Sequence, residues 1–215
     1  MLIVSLILAF SLNMSLYSVS LTAGLLGVAL AGYFILRITL RPVQSTAMTE
    51  VASDIRNGAK AYLRRQIKTI LLVTPFFAGL LYLILDWQAA VTAVFGVLTS
   101  LLASYIGMSV SIRTNLQTAD ITNEGKRSPF RIALFGGSVM GFCITGLSLI
   151  VLSFLFSIFK DPNALIGFAF GGGLAALFAQ IGGGIFTKSA DIGADLVGKI
   201  ESNIPEDDPR NAAVI

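Results

Sequence analysis

Five stretches of this chain are long and apolar enough to cross a lipid bilayer, and that restricts its fold more than any other feature. A crossing takes about 20 consecutive, largely apolar residues in helical form. Backbone polar groups find no water in the hydrocarbon core, so they must pair within the segment. The first apolar region, residues 2–36, is too long for one upright span. The helix is placed at about residues 15–36, with the first dozen residues interfacial or part of an extended end. A cleaved signal peptide is the rival for residues 1–12, although no basic segment precedes them. The other spans are expected at about residues 70–85, 89–112, 130–159 and 165–188. The last two are longer than a crossing requires and are expected to tilt or protrude into water. Composition agrees, with 55% hydrophobic and 13% charged residues, where a soluble domain carries about 25% charged. The fold class is all-α integral membrane.

Lys and Arg set the orientation of such a bundle, because they are retained on the cytoplasmic side. Of the 15 basic residues, Arg37, Arg41, Arg56, Lys60, Arg64, Arg65 and Lys68 fall between spans one and two. Arg113, Lys126, Arg127 and Arg131 fall between spans three and four, and Lys188, Lys199 and Arg210 follow span five. The opposite loops hold only Lys160, beside Asp86 and Asp161. An N-terminus outside and a cytoplasmic chain end follow. The net charge of +3 tracks topology rather than forming an aromatic-interleaved patch, so nucleic acid is not an expected partner. The chain has no histidine, which removes His-based metal sites and acid–base catalysis, and its single cysteine, Cys143, lies in an apolar run and reads as a packing residue.

Residues 49–70 are polar but rich in helix formers and free of proline, and are expected to form a cytoplasmic helix running directly into span two. Glycines cluster at Gly167, Gly171, Gly172 and Gly173, then at Gly182, Gly183 and Gly184. They lie inside a span, where small residues let helices approach closely. A phosphate cradle would need them in a loop at a helix N-terminus.

The stretch QIGGGIFTKSADIGADLVGKIESNIPEDDPR, residues 180–210, carries the chemistry. At about 100° per residue, Lys188, Asp191, Asp195 and Lys199 share a wedge of about 80°, with Gln180 at its margin and Glu201 facing the other way. A solvated helix end laced by ion pairs one turn apart would look similar. However, Asp191 and Asp195 repel each other, and Ser189, Ala190, Gly193 and Ala194 leave both carboxylates open. Two aspartates one turn apart suit Mg²⁺, which takes few protein ligands and keeps waters and substrate phosphates. Flanking lysines supply mobile positive charge for phosphate oxygens. Carboxylate, metal and lysine together are the logic of phosphoryl transfer. The acidic residues Glu206, Asp207 and Asp208 follow Pro205, close enough to fold back on this site or simply face solvent.

The segment GGGIFTKSADIGADLVGKIESNIPEDDPRN resembles the catalytic segment of the membrane-integral pyrophosphatases. IRNGAKAYLRRQIKTI, ASYIGMSVSIRTN and FGGSVMGF agree in the same order, and the resemblance covers about residues 49–215. It implies hydrolysis of inorganic pyrophosphate coupled to pumping of H⁺ or Na⁺, a homodimer, and a sixteen-helix fold of which this chain holds the first five. By the same resemblance, Lys188 binds pyrophosphate, Asp191 and Asp195 hold Mg²⁺, Lys199 belongs to the hydrolytic centre, and Glu206 and Asp207 to its rim. Gln180 stands where family members carry an arginine that couples hydrolysis to ion movement, and Ala212 replaces a usual proline. The groups that position the attacking water, those that set any K⁺ activation, and most of the ion path are expected downstream. The chain alone is therefore expected to be inactive. The alternative is a non-catalytic five-helix membrane module that needs a partner to complete the site.

Overall fold

The computed structural model describes residues 16–43, 46–123 and 129–201. Among them the regular structure is entirely helical: α1 (Leu16–Thr39), α2 (Thr46–Ile84), α3 (Trp87–Asn123), α4 (Pro129–Phe159) and α5 (Ile166–Asp195). A 3₁₀ turn, Asn163–Leu165, leads into α5, and a π turn, Leu196–Glu201, follows it. All five helices are long and apolar enough to cross a membrane. Many large apolar side chains point away from the bundle, among them Leu72 at 70%, Phe76 at 78% and Leu83 at 81% exposure. In water such a surface would drive association; against lipid tails or further apolar helices it is stable.

The polar and apolar halves of α2 form one continuous helix, as the lack of a breaker between them predicts. Pro75 lies within it, inside the apolar half, where lipid-embedded helices tolerate proline. The connections at one end of the bundle are tight. Asp86 Oδ1 accepts the Ala89 amide at 2.6 Å and caps the start of α3. After α4, Lys160 adopts φ 54° and its amide closes on the Phe156 carbonyl at 2.9 Å, a left-handed helix stop.

α1 lies on α4, and α3 packs against α2, α4 and α5. The α1–α4 contact buries Ala31, Ile38, Val139 and Cys143, with Phe34 stacked between Phe135 at 5.0 Å and Phe142 at 6.0 Å. The helices cross where glycine faces glycine: a Cβ on Gly24 would come within 2.9 Å of the Gly146 carbonyl, and the reverse holds for Gly146 on Gly24. Ile70, Val97 and Ala175 form a second core joining α2, α3 and α5.

The glycines of α5 divide into two groups. Gly167 and Gly171 press on the carbonyls of Ala89 and Ala93, leaving no space for a side chain, and Gly182 abuts the Tyr62 ring. Gly173 and Gly184 face open space, so close packing explains only part of the cluster. The helix α3 runs eleven residues past the expected end of span three at residue 112. Its added turns are held by tertiary contacts. Leu116 buries against Ala52, and the buried Gln117 donates through Nε2 to the carbonyls of Ile38 at 2.7 Å and Arg41 at 2.9 Å. Arg113 donates to the Thr39 carbonyl at 2.7 Å. These bonds help satisfy the carbonyls at the end of α1, where Ile38 also accepts the Arg41 amide at 3.3 Å.

Candidate active site

The charged end of α5 places Lys188, Asp191 and Asp195 on exposed turns. Lys188 Nζ donates to Asp191 Oδ2 at 2.7 Å, with the two side chains 70% and 55% exposed. A pair this open to solvent contributes little to stability. Asp195 is near enough for its charge to act on Lys188 as well. The side chains between them leave the face clear. The Ser189 hydroxyl turns back to the Ile185 carbonyl at 2.8 Å, and a Cβ on Gly193 would meet nothing within 4 Å. Immediately after Asp195 the backbone changes from α to π through Leu196–Glu201. Such π turns inside helices are rare and frequent at functional sites.

The polar half of α2 braces this helix. The Tyr62 ring stacks on Phe186 at 4.9 Å, and its hydroxyl donates to the Ala179 carbonyl at 3.4 Å. Phe186 is two residues before Lys188, so the stack fixes the turn from which the charged face emerges. Sequence reasoning did not single out Tyr62. The available signal was an aromatic side chain in the basic run AKAYLRRQ.

Gln180 is exposed and sits eight residues before Lys188, about 12 Å along the helix. Lys199 falls within the π turn, and its side chain lies outside the described residues, as do Glu206, Asp207, Asp208 and Ala212. Residues 1–12, assigned to the interface or to a signal peptide, lie outside them too. Among the described residues no three carboxylates, cysteines or histidines gather into a metal cage. The donor set on α5 is two carboxylates one turn apart with open surroundings. Such a set fits Mg²⁺, which keeps water and phosphate oxygens as its other ligands.

Residues 25–215 match the family model described as inorganic H⁺ pyrophosphatase. The chain belongs to this family. Among its relatives, a "K(+)-insensitive pyrophosphate-energized proton pump" of Methanosarcina mazei is 44% identical over 195 residues, covering 90% of this chain and 29% of that protein. A second pump of the same description, from Moorella thermoacetica, is 40% identical over 94% of this chain and 31% of its own length. A Clostridium tetani protein, described provisionally as a K⁺-stimulated pyrophosphate-energized sodium pump, is 37% identical over 91% of this chain and 29% of its own. This pyrophosphatase-family chain thus spans about three-tenths of the length of the curated relatives it matches. Its charged α5 end and the brace from α2 both fall inside the matched region.

Proposed function

We propose that this chain contributes one wall of the Mg²⁺-pyrophosphate site of an ion pump that hydrolyses pyrophosphate and moves H⁺ or Na⁺ across the membrane. The observation that carries the reading is the open face of α5, where Lys188, Asp191 and Asp195 stand together at the end of an apolar helix. Family membership supports the substrate class, through relatives described as pyrophosphate-energized pumps.

When bound, Mg²⁺ neutralises phosphate oxygens so that negative charge can build on the leaving group. Asp191 and Asp195 hold the metal from one helical face. Lys188 leaves its exposed pair with Asp191 and donates to phosphate oxygens, a role suited to a mobile ammonium. The resemblance assigns Lys199 to the hydrolytic centre and Glu206 and Asp207 to its rim. Activation of the attacking water falls to groups outside residues 1–215. Gln180 is neutral, so any fixed positive charge needed for coupling at that level comes from another side chain. The basic residues grouped at one end of the bundle support a cytoplasmic site and an external N-terminus, in what we take to be the cell membrane. By resemblance the complete pump is a homodimer.

The test is a chimera in which this chain replaces the matching segment of the Methanosarcina mazei protein. Reconstituted in liposomes, it should release phosphate from pyrophosphate only with Mg²⁺ and transport H⁺ or Na⁺, while residues 1–215 alone release none. A folded chimera without turnover, or turnover by the isolated chain above a Lys188→Ala control, contradicts the reading.

A further inference from the structure

The polar half of α2 carries Arg56, Lys60, Arg64 and Lys68 at every fourth position, a ladder of one sign rising about 18 Å along one helical face. All four are exposed. Among the described residues no carboxylate pairs with them, although like charges one turn apart destabilise a helix. The ladder borders a groove between α2 and α3. Two adjoining cavities of about 280 and 510 Å³ share Lys60, Leu63 and Tyr105. Arg56 and Arg113 complete the first, Arg64 and Lys68 the second. Arg113 is anchored by its bond to Thr39, and its buried Nε has no hydrogen-bond partner. At its other end the groove meets the apolar half of α2 at Leu71, 44% exposed, and Tyr105, an aromatic at the level of the polar–apolar change, is 52% exposed.

A groove with this gradient fits one kind of ligand, phosphate at the charged end continuous with hydrocarbon at the other. We propose that it is a binding site for the headgroup of an anionic phospholipid. Lys60, Arg64 and Lys68 contact the phosphate, and the acyl chains descend along Leu71 and the membrane face of α2. Basic pockets between membrane helices at the interface take anionic headgroups in this way. The occupant also resolves the repulsion along the ladder. A soluble phosphate could satisfy the cations but would leave the apolar end uncovered. The proposal rests on the membrane placement of α2 and α3 and is independent of the pyrophosphatase reading.

Native mass spectrometry of the full chain released from detergent, in buffer free of Mg²⁺ and pyrophosphate, tests it with phosphatidylglycerol and phosphatidylcholine of identical acyl chains. The triple variant Lys60→Gln, Arg64→Gln, Lys68→Gln should weaken phosphatidylglycerol binding by about tenfold or more, and Arg41→Gln, Arg65→Gln, Arg131→Gln, off the groove, by less than about threefold. Phosphatidylcholine binding should stay weak throughout. Equal loss in both triples would reduce the effect to diffuse charge attraction and overturn the site. Two further arms need no variant. Equal retention of the two lipids by the unmodified chain, or displacement of phosphatidylglycerol by equimolar soluble glycerol phosphate, would each rule out a lipid site.

Discussion

Gln117 is 1% exposed, and its amide supplies hydrogen bonds to the carbonyls of Ile38 and Arg41. Replacing it with an apolar side chain of similar volume leaves the Arg41 carbonyl without that donor, and the Ile38 carbonyl with only the Arg41 amide at 3.3 Å. Gln117→Leu should therefore destabilise the chain by about 1–3 kcal/mol, read as a lower melting temperature in detergent, and an unchanged melt would mean water takes the donor's place. At the opposite extreme, Lys188 and Asp191 form their 2.7 Å pair in the open. A pair this exposed contributes little to stability. The two cases show why the grouping of Lys188, Asp191 and Asp195 was legible in the sequence and the contacts of Gln117 were not. Lys188, Asp191 and Asp195 sit at helical spacing on one element, so a wheel brings them together. Gln117 meets partners more than seventy positions away, and no local pattern announces it.

At the scale of the helix, hydropathy identified all five crossings, because lipid exposure imposes the same requirement on every turn. How far α3 continues beyond its span is a separate matter that hydropathy does not set. By sequence Arg113 fell in the loop after span three, while in the fold the helix runs on to Asn123 and buries Gln117 and Asp120. The π turn after Asp195 was equally hidden, since π and α backbones draw on similar side chains. Close crossings were visible as glycine clusters, but which glycines make contact was not. Gly24 and Gly32 sit on the same helix with opposite surroundings: a Cβ at Gly24 meets Gly146 and Ile150, and one at Gly32 meets nothing within 4 Å. Gly24→Val should cost about 1–3 kcal/mol by forcing α1 from α4. Gly32→Ala should be neutral or stabilise by up to about 1 kcal/mol through reduced backbone freedom. Thermal melts of the two variants decide this, and equal destabilisation would contradict the crossing geometry.

Across the whole molecule, one asymmetry links topology to chemistry. The charged end of α5, the ladder on α2 and the Arg113 end of α3 all lie at the same end of the bundle, since consecutive spans alternate direction. Asn57, in the polar half of α2, and Asn163, after α4, are both exposed and should lie on opposite sides of the membrane. Single cysteines, Asn57→Cys and Asn163→Cys in a Cys143→Ala background, should label from the cytoplasmic and external sides respectively. Labelling of both from one side would contradict the alternation. The central claim, that Asp191 and Asp195 hold Mg²⁺-pyrophosphate, is tested by the initial rate of phosphate release from the chimera carrying Asp191→Asn or Asp195→Asn. Each change should leave expression and melting temperature intact and lower the rate by about 10²–10³-fold, the cost of losing one well-placed electrostatic group. Asp161→Asn, whose side-chain oxygen can still accept the Asn163 amide in the loop after α4, should keep near-normal turnover. Folded Asp191→Asn and Asp195→Asn chimeras with undiminished hydrolysis would contradict the account and return the charged face of α5 to a solvated helix end.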